Sequence, residues 1–139
     1  MATRLDTATL DMIRERVKDA LPDVIAIYQF GSTVEEDEHA ESDLDLAILA
    51  CRSLPNLDRW TLQEDLAAEV RRDIDLVDLR SASTVMQAQV IDTGTVLFET
   101  DRTGRQQFEL RVCSAYAMLN EERAGILEDV QARGRVYGR

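Results

Sequence analysis

"VIAIYQFGSTVEEDEHAESDLDLAILA", residues 24–50, contains two apolar segments separated by a polar one. Residues 24–30 are rich in β-branched and aromatic side chains, which predicts a buried strand ending at Gly31. Residues 43–50 alternate between acidic and apolar side chains and then become apolar throughout, which predicts a second strand. The sequence therefore places a Gly-Ser pair and an acidic segment between two successive strands.

The rest of the chain alternates between helical and strand patterns. Helices are predicted over 5–21, 56–72, a segment that begins at Ser81 or Ser83 and ends at Gly94, and about 103–133; strands are predicted over 73–79 and 95–100. The resulting order, α-β-β-α-β-α-β-α, predicts an α/β (α+β) fold in which a small mixed β-sheet is flanked by helices. We expect one domain over residues 1–139, with a long C-terminal helix and a mobile tail over 134–139.

Composition and charge exclude several classes of function. The chain has 139 residues, 45% of them hydrophobic and 31% charged, as expected for one globular domain. A net charge of −11 with no basic cluster before the last residues argues against direct nucleic-acid binding. No apolar run is long enough to span a membrane, and the N-terminus does not resemble a secretory signal. Cys51 and Cys113 are expected to be buried and reduced, which indicates a cytoplasmic setting.

Asp43 and Asp45 form the first half of a predicted metal site. In a strand, residues i and i+2 lie on one face about 7 Å apart. The two carboxylates therefore project together, while Leu44 and Leu46 project from the opposite face into the core. Carboxylates so placed repel each other unless a cation lies between them, and Mg²⁺ binds through one or two carboxylates plus substrate phosphates. The pair is thus a candidate Mg²⁺ site, with two ions expected by analogy with two-metal phosphoryl chemistry.

Gly31 and Ser32 form the second half. Glycine lets the backbone approach a ligand closely, and serine adds a hydroxyl donor. Backbone N–H groups at such a turn favour a phosphate. Either motif alone more often marks a turn or a strand end, but the two together on successive strands predict a metal-dependent phosphate site.

The predicted third strand offers further carboxylates. Asp73 and Asp78 are expected at its two ends, whereas Asp75 lies in its middle. We therefore select Asp75 as a third metal ligand that could also orient an incoming hydroxyl. His39, the only histidine, lies in a polar segment and is not expected to be catalytic. Trp60 is expected to anchor a helix to the core.

The motif "GS-x10-DLD" over residues 31–45 resembles the signature of the polymerase-beta-like nucleotidyltransferase superfamily. The similarity extends further, because "LAAEVRRDIDLVDLRSASTVMQAQVIDTGTVLFE" (66–99) and "AYAMLNEERAGILEDV" (115–130) resemble the MNT antitoxins that are paired with HEPN ribonuclease toxins. The resemblance covers residues 5–133 and implies the polymerase-beta-like nucleotidyltransferase fold.

The resemblance also implies an activity. Gly31 and Ser32 would contact the triphosphate of ATP, and Asp43, Asp45 and Asp75 would act as the catalytic, Mg²⁺-binding acids. Family members move AMP from ATP to a hydroxyl and release pyrophosphate. In the toxin–antitoxin branch the acceptor is a tyrosine of the HEPN toxin, so the resemblance implies an antitoxin protein adenylyltransferase that forms a hetero-oligomer with its toxin.

One departure from the family pattern keeps two alternatives open. Many relatives carry a basic residue and a glycine shortly after the Gly-Ser pair, where this chain has Glu35 and Glu36. Like charges cost about 1 kcal/mol per pair at 4 Å in bulk water, so these residues could weaken ATP binding. The alternatives are an antitoxin that neutralises by binding alone, and a nucleotidyltransferase acting on a small-molecule hydroxyl. The short chain argues against the second, since it leaves no further domain for an acceptor pocket. The acceptor residue, the number of AMP groups, the nucleotide preference and the stoichiometry of a complex are not specified by the sequence.

Overall fold

The computed structural model describes residues 5–31 and 43–136, with side chains up to residue 125. The elements follow the predicted order: α1 Thr7–Ala20, β1 Val24–Phe30, β2 Leu44–Ala50, α2 Asn56–Val70, β3 Ile74–Asp78, α3 Thr84–Thr93, β4 Thr95–Glu99 and α4 Arg102–Val136. The predicted α/β fold is confirmed. Of the tail predicted over 134–139, residues 134–136 belong to α4, and 137–139 lie outside the described residues.

The four strands form one mixed sheet in the order β3-β2-β1-β4. β1 pairs antiparallel with both β2 and β4, whereas β2 and β3 are parallel. A parallel pair needs a crossover connection, and α2 supplies it between β2 and β3. The start of β3 therefore lies beside the start of β2, so their first acidic residues lie at the same end of the sheet.

The two faces of the sheet carry separate apolar clusters. Leu44, Leu46 and Ile48 pack beneath α1 and α2, as the alternation predicted. Ala47 and Leu49, which share the parity of Asp45, pack on the opposite face beneath α3 and α4. Each fully buried aliphatic side chain contributes about 1.5–3 kcal/mol to folding, so packing on both sides fixes the register of β2. The acidic residues of β2 consequently lie at the edge of the second apolar cluster.

Helix ends are fixed by local hydrogen bonds. Ser83 is the N-cap of α3, because its side chain accepts a 3.1 Å hydrogen bond from the backbone N–H of Met86. Ser81, the other predicted cap, instead donates its hydroxyl to Asp78 at 2.7 Å. Gly94 follows α3 as its C-cap, as predicted.

The C-terminal helix α4 is the longest element of the described chain. Its 35 residues span about 52 Å at the usual rise per residue. Phe108 and Val112 are buried against the sheet, but none of the side chains described from residue 113 to 125 is buried. The second half of α4 therefore extends past the core. No helix in the described part of the chain is long and apolar enough to cross a membrane.

Three side chains are more exposed than the sequence pattern predicted. Cys51 and Cys113 are both exposed free thiols, so the prediction that they are buried was wrong. Trp60 is 52% exposed, so it does not anchor α2 to the core. That role belongs to Leu62 and Leu66 on the neighbouring side of α2.

Candidate active site

Three carboxylates meet at one end of the sheet. Asp45 and Asp75 are direct partners in the parallel pairing of β2 and β3, where adjacent strands lie about 4.8 Å apart. Asp43 comes two residues before Asp45 on the same strand face. The structure thus brings together the three acids that the sequence selected, on the sheet face covered by α3 and α4.

The electrostatics of the cluster centre on Asp45. Asp43 and Asp75 are exposed, while Asp45 is partly buried between them. Burial raises the pKa of the Asp45 carboxyl above its ordinary value, and the negative charges of Asp75 and then Asp43 raise it further. Like charges at this spacing are stabilised by a cation.

Gly31 lies directly over the Asp45 carboxylate. Its φ is +85°, in the region that side chains rarely adopt. A Cβ built on Gly31 would collide with the Asp45 carboxylate, so a substitution here would both strain the backbone and displace that side chain. The close approach places the backbone that follows β1 within reach of any ligand held by Asp45.

The segment 32–42 lies outside the described residues. It contains Ser32, the predicted phosphate contact, together with Glu35, Glu36 and His39. The structure therefore places Gly31, Asp43, Asp45 and Asp75 of the predicted set.

The donor set suits Mg²⁺ better than a preformed protein cage. Among the described residues, no group of three or more His, Cys, Asp or Glu side chains could hold a metal ion by itself. Mg²⁺ characteristically binds through one or two carboxylates and completes its coordination with water and substrate phosphates. Asp43 and Asp45 fit this mode, because they supply two carboxylates two residues apart at the start of β2.

Two side chains of α2 hold the strand that carries Asp75. The backbone N–H of Leu76 donates to Oε1 of Gln63 at 2.8 Å, and Nη1 of Arg59 donates to the carbonyl of Leu76 at 3.0 Å. Arg59 also donates to Gln63 at 3.3 Å. β3 is an outermost strand of the sheet, so these bonds take the place of a neighbouring strand. We call Arg59 and Gln63 the edge clamp; it was not predicted, although the spacing of four residues on a helix is compatible with it.

Asp78 has a structural role at the far end of β3, as its predicted strand-end position suggested. It is 6% exposed and accepts hydrogen bonds from the backbone N–H of Leu54 at 2.8 Å and from the hydroxyl of Ser81 at 2.7 Å. A buried carboxylate with such partners orders the loops around it. It is thus separate from the carboxylate cluster.

A second polar network connects the sheet to α4. Tyr28 donates its hydroxyl to Glu109 at 2.7 Å, and Arg105 donates to the same carboxylate at 2.8 Å. Arg105 also pairs with Glu99 of β4 at 2.5 Å. Burial, followed by the neighbouring Glu109, raises the pKa of Tyr28 well above its ordinary value. Tyr28 and Glu109 are 81 residues apart in the sequence, so no local sequence pattern could have predicted the network.

Comparisons with known proteins agree with this geometry. The family model described as polymerase beta nucleotidyltransferase matches residues 12–103, which include Gly31 and all three clustered carboxylates. The chain is also 41% identical over 116 residues to the protein adenylyltransferase MntA of Shewanella oneidensis. That alignment covers 84% of this chain and 83% of the relative.

Solved structures of toxin–antitoxin proteins have the same fold. A chain of a toxin–antitoxin complex with AMP-PNP superposes with a TM-score of 0.77 at 39% identity, covering 88% of this chain and 98% of the other. A chain from the complex of the tri-AMPylated Shewanella oneidensis HEPN toxin with its MNT antitoxin gives a TM-score of 0.75 at 36% identity, covering 91% and 99%. The predicted family resemblance is therefore confirmed, and the chain belongs to the polymerase beta nucleotidyltransferase family.

Proposed function

We propose that this chain is an antitoxin that works as a protein adenylyltransferase: it transfers AMP from ATP to a tyrosine hydroxyl of a HEPN ribonuclease toxin and so neutralises the toxin. The 41% identity to a protein adenylyltransferase supports the reaction. The similarity to an antitoxin solved with its AMPylated HEPN toxin supports the partner. The similarity to a complex with AMP-PNP supports ATP as the donor.

The observation that carries the proposal is the pairing of Asp45 with Asp75, with Asp43 on the same face. We assign Asp43 and Asp45 to a Mg²⁺ site and Asp75 to the same cluster as a third acid. When bound, Mg²⁺ would supply positive charge that offsets the charge of the triphosphate. Gly31 would bring its backbone close to the triphosphate beside Asp45, and Ser32 would donate its hydroxyl to a phosphate oxygen.

The acceptor hydroxyl is activated by position and charge. An Asp75 carboxylate oxygen would accept the hydrogen bond from the tyrosine hydroxyl and hold its proton as the oxygen attacks the α-phosphorus. The new bond joins the tyrosine oxygen to the α-phosphorus, the bond from that phosphorus to the bridging oxygen breaks, and pyrophosphate leaves. No nucleophile on this chain takes part, so orientation and electrostatics account for catalysis.

The product explains neutralisation. AMP adds a bulky nucleoside and a negative charge to the toxin. Near a ribonuclease site, both would oppose the approach of the RNA backbone. We expect the reaction to occur in the cytoplasm, with the antitoxin held in a hetero-oligomer with its toxin.

Mass spectrometry of the toxin tests the proposal. Incubation of this chain with ATP, Mg²⁺ and a purified HEPN toxin, taken from the neighbouring gene if that gene encodes one, should add ~329 Da, or a multiple, to the toxin, since each transfer leaves one AMP on a hydroxyl. The variant with Asp43→Ala and Asp45→Ala should leave the mass unchanged. The same variant should fail to rescue growth from the toxin.

A binding antitoxin is the second candidate, because Glu35 and Glu36 follow the predicted phosphate contacts. Under this alternative, the double variant neutralises the toxin fully while the toxin mass never changes. A third candidate transfers AMP to a small-molecule hydroxyl. It predicts ATP consumption with an added small molecule, such as an aminoglycoside, and no change in toxin mass.

A further inference from the structure

A groove lies between α3 and α4 in the described structure. It has a volume of about 790 Å³. Apolar and small side chains line most of it, among them Val85, Ala88, Ile91, Tyr116 and Ala117. Val85 is 37% exposed and Tyr116 is partly exposed, so apolar surface remains open to solvent along both helices. An open apolar groove between two helices is the geometry that accepts a partner helix.

One end of the groove lies at the same end of the sheet as the carboxylate cluster. Thr93 lines its end and is followed by Gly94, where a Cβ would lie 3.5 Å from the Cβ of Phe30. Phe30 pairs directly with Asp45 in the antiparallel register of β1 and β2. The Thr93 end of the groove and the cluster therefore lie on the same face and at the same end of the sheet.

The exposed half of α4 extends this surface. The helix continues to Val136 beyond the packed core. A partner helix bound in the groove would also contact the part of α4 that extends past the core. Such a contact increases the area that can be buried without any change of fold.

The charge around the groove is acidic. Asp92 lines the groove and is exposed. Glu121 is exposed about one turn beyond the lining residue Ala117, and Arg123 is exposed about one turn beyond the lining residue Asn120. The whole chain carries −11. A ribonuclease needs clustered Lys and Arg to bind the RNA backbone, so its surface near the active site is basic. The charges are therefore complementary to those expected on a toxin ribonuclease.

We propose that the groove between α3 and α4 docks an amphipathic helix of the HEPN toxin, with an apolar stripe in the groove and basic residues against Asp92 and Glu121. The inference rests on the proposed function and names the surface that delivers the acceptor. Docking here holds the toxin beside Gly31 and Asp45, so that a hydroxyl on a neighbouring toxin segment can reach the cluster.

Two variants test the surface with a matched control. Ala117→Arg fills the groove with a cationic side chain at an exposed position, and Asp92→Lys reverses the charge at its rim without changing its shape. Ser114→Arg introduces the same side chain on the same helix at an exposed position that does not line the groove. For each variant, calorimetry measures affinity for the same purified HEPN toxin, and a second titration measures affinity for ATP with Mg²⁺.

The expected result is that Ala117→Arg weakens toxin binding by roughly tenfold or more, since a filled central pocket removes its hot-spot contacts. Asp92→Lys should weaken binding several-fold with a reduced dependence on salt. Both variants should keep the ATP affinity of the unaltered chain, and Ser114→Arg should match it in both titrations.

Unchanged toxin affinity in Ala117→Arg and Asp92→Lys, in a chain that adenylylates the toxin, would overturn the docking surface and leave the proposed function intact. An unaltered chain that neither binds nor modifies the toxin would overturn both. A dimer of this chain that Ala117→Arg dissociates, with toxin binding unaffected, would assign the groove to a second copy and overturn the proposal.

Discussion

Asp45 and Asp75 face each other across adjacent parallel strands, and the charge of Asp75 helps to raise the pKa of the Asp45 carboxyl. The pair is far apart in sequence and is brought together by the crossover through α2. An arrangement that costs electrostatic energy without a ligand is expected where a cation will bind.

Removing one carboxylate of the cluster should abolish most of the transferase activity. We expect Asp45→Asn to lower AMP transfer to the toxin by roughly 10²–10³-fold, the range seen when one electrostatic group is removed from a transition-state site. Asp73→Asn is the matched control, since Asp73 is exposed and precedes β3. Equal activity of the two variants would contradict the assignment of Asp45.

The same variant should be more stable than the unaltered chain at neutral pH without Mg²⁺. The folded-state pKa of Asp45 is raised, so the native state binds more protons than the unfolded state between the two pKa values, and stability falls as pH rises through that window. Above it, the ionised carboxylate destabilises the fold, and Asp45→Asn removes the cost. Thermal unfolding at pH 4 and pH 7.5 should show the advantage of the variant only at the higher pH. A lower melting temperature for Asp45→Asn at pH 7.5 would contradict this account.

Gly31→Ala should disturb both the fold and the site. The positive φ and the collision with the Asp45 carboxylate should lower the free energy of unfolding by about 1–3 kcal/mol. ATP affinity should also fall, because the backbone above Asp45 must move. Gly125→Ala is the control, as nothing lies within 4 Å of a Cβ there, and alanine favours the helix by up to about 1 kcal/mol. Urea unfolding of both variants measures the contrast.

We expect the edge clamp to affect transferase activity, because it holds β3, the strand that carries Asp75. Gln63→Leu leaves the N–H of Leu76 without its acceptor, at a cost of about 1–3 kcal/mol in unfolding free energy. We expect kcat for AMP transfer to fall while ATP affinity is retained, since Asp43 and Asp45 are unaffected. Gln63→Glu keeps an oxygen acceptor beside Arg59 and should restore activity. If Gln63→Leu lost stability without any loss of kcat, the clamp would serve the fold alone.

Tyr28→Phe should destabilise the attachment of α4 without altering the chemistry. It removes a 2.7 Å hydrogen bond to a charged acceptor, for which about 1.5–3 kcal/mol is typical. Glu109 keeps its hydrogen bond from Arg105, so we expect the loss of unfolding free energy to lie at the low end of that range. Urea unfolding checks the energy, and unchanged ATP affinity in Tyr28→Phe would confirm that the network lies apart from the site.

Periodicity predicted the elements because burial on both sheet faces leaves a strong pattern. The alternation at Asp43 to Ile48 was sufficient to orient β2, and the mid-strand position of Asp75 identified the residue that pairs with Asp45. The edge clamp and the Tyr28 network could not be predicted, because each depends on side chains from distant elements. Trp60 and Cys51 were predicted to be buried because their residue types are apolar. Both are exposed, because the tertiary packing does not cover them.

Asp75 is carried by an outermost strand whose middle residue is held on one side by β2 and on the other by side chains alone. Outer strands open more readily than central ones. Local opening of β3 would therefore separate Asp75 from Asp45 while the rest of the sheet stays paired. Amide exchange at Leu76 should then be faster than at Leu46, and nucleotide should slow it. The transferase activity would therefore depend on how stably β3 remains paired with β2.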